Sequence, residues 1–543
     1  MTYRELADKS NRYSLWALSR GLTAGSVVSL IMPNCPDYIA IWLGITRVGG
    51  IVALVNTNLK GQALAHSLNV VAPKHIIVAA ELVDAVAEVL PRLAPDIQCW
   101  VHGSGGDRFA RIEDQLPQST DGRLDAFPTH QPPSLSDCAL YIYTSGTTGL
   151  PKAAKVSHFR VMQWSHWFAG MMDTGPSDRM YNCLPMYHSV GGVVGTGATL
   201  VNGGTVVLRR KFSVSHFWND ILESNCTIFL YIGELCRYLV NGPPHPHETD
   251  HRLRLCCGNG LRADIWEKFQ QRFRIPQILE FYAATEGNFS LYNCEGKPGA
   301  IGRIPSFLAH RFPVALIKLD VETAEPLRSN GEGFCIRCAV NETGEAIGKL
   351  PGDGSSHGSR FEGYTDKAAS SKKILRNVFE PDDAWYRTGD LMKRDAKGYF
   401  YFVDRVGDTF RWKGENVSTA EVAETISACP GVTGAVVYGV NVPGTEGRAG
   451  MAAVVVSDNF DLQMFAEYLA RSLPEYARPL FLRIRNEIAM TETFKPRKLD
   501  LVSEGFDSAA IADDVYFYDR SRQAFVKLDT ALRERIANRQ LRL

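Results

Sequence analysis

Short apolar runs rich in β-branched residues alternate with amphipathic segments along the first half of the chain. The runs fall at 25–32, 51–56, 75–80, 139–144, 204–208, 227–232 and 253–257. Segments with helical spacing, such as 38–48 and 157–172, lie between them. Because strands joined through a helix pair in parallel and the helix covers the sheet, this alternation predicts βαβ units. The sequence therefore predicts an α/β fold with parallel-rich sheets.

A smaller unit follows this region. The chain has 543 residues, several times the ~150 residues of an average domain, so more than one unit is expected. A polar Gly/Ser stretch at 351–359 precedes a charged segment that continues to about 403. The patterns after 408 are a helix at 418–428, strands at 432–439 and 450–456, a helix at 462–472 and a strand at 480–488. They predict a compact α+β domain at the C-terminal end.

Charge, cysteine content and hydropathy exclude several classes of protein. Lys and Arg together number 59, as do Asp and Glu, so the balanced charge gives no electrostatic footprint for nucleic acid. The twelve scattered cysteines favour a reducing compartment, and both Cys335–Cys338 and Cys256–Cys257 are interpreted as core residues. The stretch 184–208 is uncharged and long enough to span a bilayer. However, its Pro185, Asn202 and glycines favour a buried piece of the α/β core.

The sharpest local motif is a run of small hydroxyl residues and glycines. It reads Tyr143-Thr144-Ser145-Gly146-Thr147-Thr148-Gly149-Leu150-Pro151-Lys152, follows an apolar strand and precedes a helical segment. Glycines let the backbone approach an anion, and amides, hydroxyls and one lysine neutralise phosphate charge. The motif predicts a phosphate-binding loop that differs from the Walker sequence, with a ligand-free turn as the alternative.

Four motifs in order resemble the adenylate-forming superfamily of acyl-CoA synthetases, luciferases and peptide-synthetase adenylation domains. The phosphate loop is the first of them. Phe281–Glu286 resembles the YGxTE segment of that superfamily, and Tyr386–Asp390 resembles its ribose-binding TGD segment. Thr491–Lys495 lies where the superfamily carries its C-terminal catalytic lysine.

Two further stretches narrow the resemblance. Residues 386–422 and the tail 494–507 are similar to fatty acid transport proteins, also called very-long-chain acyl-CoA synthetases. This resemblance implies an N-terminal domain over 1–403 that binds ATP and the acyl group. It also implies a hinge at 404–407 and a C-terminal domain over 408–543 that carries the catalytic lysine.

The resemblance assigns the hydroxyl-rich loop to the β- and γ-phosphates of ATP. The residues assigned to it are Tyr143, Thr144, Ser145, Gly146, Thr147, Thr148, Gly149 and Lys152. Glu286, together with Thr148, is expected to bind Mg²⁺, because this hard cation takes carboxylate oxygen and substrate phosphate. A surface or helix-start glutamate is the alternative for Glu286.

The adenosine is assigned in the same way. The residues expected around adenine are Gly258, Asn259, Gly260, Tyr282, Ala283 and Thr285. Tyr282 would lie against the base, since an aromatic face suits a flat ring, and an ordinary core tyrosine is the alternative. Asp390 would accept the ribose hydroxyls, or else cap a turn, and Arg405 would reach the same ribose or a phosphate.

The C-terminal part is expected to supply a lysine and a movable segment. Lys495 would contact the α-phosphate and the attacking carboxylate, with a solvated lysine as the alternative. The family alternates its C-terminal domain between two poses, and Gly407 suits the large φ and ψ change of the hinge. In the second pose, Arg411 and Gly414 would face the site and help to admit CoA.

The acyl site is less sharply indicated. His188 resembles a family position near the reacting carboxylate, and a core histidine is an equal alternative. Met and aromatic residues in 159–172 could line a lipid tunnel or form helix core. The glycines that could leave room for a long chain are Gly191, Gly192, Gly195 and Gly197. No acid lies in 184–208, where amino-acid-activating relatives place a partner for an ammonium, so an uncharged, aliphatic acyl group is expected.

Together these features predict an ATP-dependent ligase that joins long-chain or very-long-chain fatty acids to CoA, with ATP, Mg²⁺ and CoA as cofactors. Catalysis is assigned to Lys495, Thr148, Glu286 and His188. The alternatives are a CoA ligase for a branched, steroidal or polyketide acid, and a fatty acid uptake protein with secondary catalysis. An intracellular location is expected: the cytoplasm, the surface of the endoplasmic reticulum or of lipid droplets, or the peroxisome. The C-terminal residues 541–543 faintly resemble the peroxisomal targeting tripeptide.

Overall fold

The computed structural model covers most of the chain. The residues it describes are 1–104, 108–118, 131–145, 150–320, 323–329, 333–351, 361–412, 415–443, 445, 447–490, 497–506, 511, 513–538 and 540–541. They form three sheets of six or seven strands, followed by a two-stranded and a five-stranded sheet.

The first sheet is parallel except at its last strand. Its strands are β1 (Val27–Ile31), β2 (Ile51–Leu54), β3 (His75–Ala79), β4 (Gln98–His102), β5 (Ala110–Arg111), β6 (Cys138–Ser145) and β7 (Pro151–Ser157), in the order β5-β4-β3-β1-β2-β6-β7. Its helices are α1 (Tyr3–Ser19), α2 (Pro36–Arg47), α3 (Gly61–Asn69) and α4 (Val83–Val89). Val28 and Leu30 of β1 join one apolar cluster and Val27 and Ile31 another, as expected for a strand buried on both faces.

The second sheet is parallel except at one edge. Its strands are β8 (Arg179–Asn182), β9 (Thr205–Leu208), β10 (Ile228–Ile232), β11 (Leu255–Asn259), β12 (Ile278–Ala283) and β13 (Ser290–Asn293), in the order β13-β12-β11-β10-β8-β9. Its helices are α5 (His158–Met172), α6 (Thr196–Leu200), α7 (Val214–Glu223), α8 (Gly233–Asn241) and α9 (Ala263–Arg272). Phe229, Trp266 and Phe269 are fully buried in its core. The prediction of parallel-rich α/β sheets is confirmed.

A third, antiparallel sheet follows. Its strands are β14 (Gly302–Arg303), β15 (Val314–Ile317), β16 (Gly344–Lys349), β17 (Ile374–Arg376), β18 (Ala384–Arg394) and β19 (Tyr399–Arg405), with the helix α10 (Lys367–Ser371) before β17. Much of this region was predicted only as a polar and charged segment. In the long strand β18, buried Trp385 and Tyr386 precede the half-buried Arg387, so the apolar run is interrupted.

The C-terminal part forms the predicted smaller α+β unit. Its hairpin is β20 (Phe410–Trp412) and β21 (Glu415–Val417), and its sheet is β22 (Val432–Asn441), β23 (Arg448–Val456), β24 (Phe481–Arg485), β25 (Asp514–Asp519) and β26 (Ala524–Lys527). Its helices are α11 (Thr419–Ser427), α12 (Leu462–Ser472), α13 (Lys498–Glu504) and α14 (Thr530–Ala537). Short 3₁₀ helices elsewhere are Ala80–Leu82, Leu90–Arg92, Glu113–Gln115, Ser306–Leu308 and Glu475–Ala477.

Two local predictions concern the phosphate motif and the stretch 184–208. The helical segment predicted at 157–172 after the motif is α5, which begins at His158, and the strand β7 that lies between them was not predicted. In β7 the adjacent Ala153 and Ala154 are both buried, so its burial lacks the alternation by which a half-buried strand is recognised. The uncharged stretch 184–208 belongs to the core, as predicted. Within the described ranges, no helix combines the length and apolar character needed to cross a membrane.

Candidate active site

The predicted phosphate loop joins β6 to β7 as a hairpin. In the antiparallel register Thr144 lies opposite Lys152, and Ser145 lies opposite Pro151. This pairing brings a hydroxyl residue and the motif's lysine to the same end of the hairpin. The remaining predicted loop residues, Gly146, Thr147, Thr148 and Gly149, lie outside the described residues.

Tyr143 differs from the rest of the motif, because its side chain lies in the core. Its hydroxyl donates to the carbonyl oxygen of Ser67 at 2.6 Å, and burial raises the pKa of the phenol well above its usual range. The side chain therefore anchors β6 to α3. A contribution of this residue to phosphate binding would come from its backbone.

A segment at 361–366, here called the strap, runs along the free edge of β7. The backbone N–H of Lys155 donates to Gly363 O at 2.9 Å, and that of Thr365 donates to Ala153 O at 3.0 Å. The strap therefore extends the hairpin by one short strand. Its tyrosine is consequently held beside the phosphate-loop lysine.

Glu286 is a buried carboxylate, 7% exposed, that accepts hydrogen bonds from two tyrosines. Tyr364 of the strap donates to its Oε1 at 2.7 Å, and Tyr386 of β18 donates to the same oxygen at 3.3 Å. Burial, reinforced by the Glu286 charge, raises the pKa of Tyr364, so this phenol remains a donor. The Lys152 ammonium lies 5.8 Å from the centre of the Tyr364 ring. One tyrosine thus links the loop lysine to the predicted metal-binding carboxylate.

A buried arginine supports the same cluster. Arg160, in the first turn of α5, donates to Thr285 O at 3.3 Å, and its Nε lies 3.6 Å from Glu362 Oε1. Glu362 also accepts from the backbone N and the Oγ of Ser157 at 2.7 and 2.6 Å. Burial lowers the pKa of Arg160, while the charges of Glu362 and Glu286 oppose that shift. This guanidinium therefore ties the strap to the segment that carries Glu286.

The predicted adenine wall leaves the carboxyl end of β11. Gly258 packs so tightly that a Cβ there would lie 2.2 Å from Tyr231 O, and Gly260 adopts a left-handed φ of +76°. Asn259 is half-buried between them. Ala283 ends the neighbouring parallel strand β12 and is exposed. Carboxyl ends of adjacent parallel strands are where ligands of open α/β sheets bind.

The predicted adenine and ribose residues contact each other directly. The Tyr282 hydroxyl donates to Asp390 Oδ2 at 2.6 Å, and burial, followed by the Asp390 charge, raises the pKa of this phenol. The other carboxylate oxygen lies 3.6 Å from Arg405 Nε. Tyr386 connects this group to the phosphate end, because it lies on β18 with Asp390 and its hydroxyl donates to Glu286 at 3.3 Å. Burial and the Glu286 charge raise the pKa of this phenol.

A buried ion pair, which the sequence analysis missed, holds the turn that carries Asp390. Glu345 on β16 is 1% exposed and accepts from Arg387 Nε at 2.9 Å and from Arg387 Nη2 at 2.8 Å. Its other oxygen accepts from the backbone N of Gly389 at 3.0 Å. Thr388 Oγ1 accepts in turn from the backbone N of Asp390 at 3.0 Å. Only the three-dimensional pairing of β16 with β18 reveals this support.

His188 lies near the Glu286 segment without a defined role. Its ring is half-buried, with its centre 4.7 Å from that of Tyr187. The next residue, Ser189, has its Oγ 3.2 Å from Thr285 Oγ1. The turn that carries His188 is therefore adjacent to the predicted site.

The hypothesis that glycines after His188 leave room for an acyl chain is wrong for the described structure. A Cβ on any of them would collide with protein atoms. The nearest atoms are Pro185 O at 2.5 Å for Gly191, Met186 O at 2.2 Å for Gly192, Leu230 Cδ2 at 2.4 Å for Gly195 and Ser165 Oγ at 2.2 Å for Gly197. These glycines permit close packing of a π-helical turn and α6 instead.

The connection to the smaller unit is anchored at both ends. Asp404 accepts from the backbone N and Oγ1 of Thr419 at 2.7 and 2.9 Å, and so holds the start of α11. Gly407 has a φ of +93°, with open space where a Cβ would be. Arg411 is exposed on β20. Gly414 and the segment with Lys495 lie outside the described residues.

The cysteines belong to the structure rather than to a cluster. Cys256 and Cys257 are fully buried, as predicted, and Cys335 is buried while Cys338 is half-buried. Over the part of the chain that the structure describes, no three or more His, Cys, Asp and Glu side chains group in a way that could hold a metal ion. A cation at Glu286 would therefore need ligands from substrate or from elsewhere in the chain.

The chain matches known families and individual proteins over most of its length. The family described as AMP-binding enzyme matches residues 1–337, and the AMP-binding enzyme C-terminal domain matches residues 421–495. Long-chain fatty acid transport protein 1 of Mus musculus is 42% identical over 541 residues, covering 98% of this chain and 83% of that protein. Long-chain fatty acid transport protein 6 of Mus musculus is 40% identical over 550 residues, covering 100% and 87% respectively.

A solved structure matches the fold. The anthranilate CoA ligase AuaEII in complex with anthranoyl-AMP superposes with a TM-score of 0.79 at 20% identity, covering 94% of this chain and 93% of that one. At this identity the likeness concerns the fold alone. The family matches and the full-length similarity establish that the chain belongs to the AMP-binding enzymes, within the long-chain fatty acid transport protein family.

Proposed function

We propose that this chain is an AMP-forming ligase that joins long-chain or very-long-chain fatty acids to CoA. The carboxylate of the acid attacks the α-phosphorus of ATP, which gives an acyl-adenylate and releases pyrophosphate. The CoA sulfur then attacks the acyl carbon, and AMP leaves. The observation that carries the proposal is a cluster in which Tyr364 links Lys152 to Glu286. Strand β18 connects it to the ribose end, since it carries both Tyr386, which donates to Glu286, and Asp390, which accepts from Tyr282.

The phosphate end of this cluster has the chemistry that adenylation requires. Lys152, with the hydroxyl and amide groups of the loop after Thr144, would hold the β- and γ-phosphates. The residues present fit Mg²⁺, because Glu286 offers a buried carboxylate whose neighbours are neutral hydroxyl donors. Glu286 and Thr148 would hold this ion, which would neutralise phosphate charge as pyrophosphate departs.

The remaining roles are proposed from the family and the geometry together. Asp390, oriented by Tyr282 and Arg405, would accept the ribose hydroxyls. Lys495 would stabilise charge at the α-phosphate and orient the attacking carboxylate. Residues 404–407 would act as a hinge, and the left-handed Gly407 can absorb a large backbone rotation.

The acyl preference rests on two observations. The relatives with full-length similarity carry names that specify long-chain fatty acids. In addition, the stretch 184–208 next to the site has no acid that could pair with a substrate ammonium. An uncharged aliphatic acid is therefore the proposed substrate, and branched or steroidal acids belong in the same test panel.

The test uses the purified chain with ATP, Mg²⁺, CoA and a panel of acids from medium to very long chain length. Acyl-CoA and AMP are quantified by mass spectrometry, with Lys495→Ala as the inactive control. We expect acyl-CoA and AMP in equal amounts, with the greatest kcat/KM for long chains. Formation of ADP, or no thioester with any acid of the panel, would refute the proposal.

Fatty acid uptake is a second candidate, which the relatives' names as transport proteins favour. It would place the chain at a membrane surface. Uptake of a labelled fatty acid by cells expressing Lys495→Ala separates the two candidates. If the variant loses both uptake and ligation, conversion of the fatty acid to acyl-CoA is sufficient to explain uptake. If the variant loses ligation but retains uptake, the chain has a separate transport activity.

A further inference from the structure

Glu280 is a buried acid directly beneath the loop that forms the predicted adenine wall. It lies in the middle of β12, is 1% exposed, and stands opposite Gly258 in the parallel register of β11 and β12. It therefore lies in the interior of the sheet, six residues before Glu286 in the chain. The catalytic scheme above makes no use of it.

The Glu280 carboxylate holds this loop through hydrogen bonds. Oε1 accepts from the backbone N of Leu261, the residue that follows the wall, at 3.1 Å. Oε2 accepts from the hydroxyl of Tyr231 at 2.6 Å. One donor is thus an amide at the end of the wall loop, and the other comes from the neighbouring strand β10.

The opposite side of the loop is held by packing. A Cβ built on Gly233, at the start of α8, would lie 1.9 Å from Gly260 O, so the helix backbone rests directly on the loop. The loop is therefore fixed between a helix terminus and a carboxylate. Because Gly260 has a left-handed φ, its peptide orientation depends on these contacts.

We infer that Glu280 is a positioning residue for nucleotide binding, which sets the Gly258–Gly260 wall at the height that adenine requires. The inference rests on the proposed function, since it assigns a support to the nucleotide site named there. An acceptor that binds the amide at the end of the loop fixes the position of the loop more tightly than packing against α8 alone.

The electrostatics of the site add a distinguishing property. Burial raises the pKa of Glu280 to about 8, and its hydrogen bonds with Tyr231, Leu261 and Gly260 oppose this shift. The titratable groups that face it are Tyr231 on β10, Cys257 on β11 and Cys236 on α8, and burial raises the pKa of each, so all three are neutral. The ionised carboxylate accepts more strongly than the acid, so loop support increases as the pH rises through about 8.

The test compares Glu280→Leu, which removes the acceptor but fills the space, with Glu280→Gln, which retains one acceptor oxygen. The readouts are ATP binding by calorimetry without acid, and the KM values for ATP and for fatty acid. In the Leu variant we expect the Kd and the KM for ATP to rise about tenfold, because one strong hydrogen bond is lost. We expect little change in its KM for fatty acid. The Gln variant should recover most of this loss at neutral pH. Tyr231→Phe, which keeps the Leu261 amide bound to Glu280, is the control and should leave ATP affinity nearly unchanged.

The pH profile gives an independent readout that a purely structural role would not alter. The ratio of the ATP KM of the Gln variant to that of the wild type should grow as the pH rises through about 8. If the Leu variant does not fold, the KM ratio of the Gln variant to the wild type tests the inference by itself. A constant ratio, or an equal rise in both KM values of the Leu variant, would overturn the inference. Absence of ATP binding by the wild type would instead refute the proposed function.

Discussion

The buried Glu345–Arg387 pair offers the sharpest test of how the nucleotide site is supported. Glu345 is 1% exposed and receives two guanidinium hydrogen bonds, at 2.9 and 2.8 Å, together with the backbone N–H of Gly389 at 3.0 Å. The perturbation is Glu345→Ala. In this variant the Arg387 guanidinium keeps its hydrogen bond to Ala324 O at 3.0 Å and its ion pair with Glu325 at 4.0 Å.

The expected size follows from this geometry. Removing one partner of a buried ion pair costs about 3–5 kcal/mol. The Arg387 side chain is 19% exposed, so its unpaired charge would remain partly solvated. The lower value therefore applies, a loss of about 3 kcal/mol in the free energy of unfolding. The turn before Asp390 also loses the acceptor of Gly389, worth about 1.4 kcal/mol or a tenfold rise in the KM for ATP.

The assay is urea unfolding followed by intrinsic fluorescence, with ATP kinetics on the same preparations. A double-mutant cycle with Arg387→Met provides the control, because the double variant no longer strands a cation. We expect the double variant to be more stable than Glu345→Ala alone, yet to retain its raised KM for ATP. A destabilisation of Glu345→Ala below about 0.5 kcal/mol, the level of a surface change, with an unchanged KM would refute the reasoning.

Three further predictions concern the reacting groups. The Lys495→Ala variant should lose adenylation but should still convert supplied acyl-adenylate and CoA to thioester. Pyrophosphate exchange measures the first step and a thioester assay the second. Equal loss of both steps would contradict the role of the lysine. Asp390→Asn should raise the KM for ATP about 30-fold, because about 2 kcal/mol of charge-assisted bonding to ribose is lost, and an unchanged KM would count against ribose binding. Tyr364→Phe should increase the Mg²⁺ concentration needed for half-maximal rate more than Tyr386→Phe does, since its bond to Glu286 is the shorter, 2.7 against 3.3 Å. The reverse order in a Mg²⁺ titration would show that the strap does not orient this carboxylate.

Much of the fold could be predicted from the sequence because its strands are buried on both faces. The apolar run 227–232 becomes β10 and the run 139–144 becomes β6. Strands whose apolar run is interrupted by charged residues, such as β7 and β18, lack a continuous apolar signal and were missed. Their register depends on partners far along the chain, as when Gly344 of β16 pairs with Met392 of β18.

The site was predicted as motifs, but its supports were not. Glu286, Tyr282 and Asp390 stood out because they occur in recognisable segments. Tyr364 lies 78 residues from Glu286 in the chain and contacts it only in the folded protein. Glu280 likewise resembles an ordinary residue of an apolar strand, and only its hydrogen bonds to the wall loop reveal its place.

The glycines after His188 illustrate the limit of composition arguments. A glycine-rich stretch beside a site is compatible with an open channel or with close packing. The short distances from Gly192 to Met186 O and from Gly197 to Ser165 Oγ, 2.2 Å for a built Cβ in each case, decide for packing. Backbone proximity of this kind leaves no trace in the sequence.

The central claim is that a fatty acid is activated on the α-phosphorus of ATP at the Lys152–Glu286–Asp390 cluster. Exchange of labelled pyrophosphate into ATP, measured without CoA, tests it most directly because it reports adenylation alone. We predict exchange that requires a long-chain fatty acid and Mg²⁺ and that is lost in Lys495→Ala. Exchange that is absent with every acid, or that continues without any acid, would contradict it.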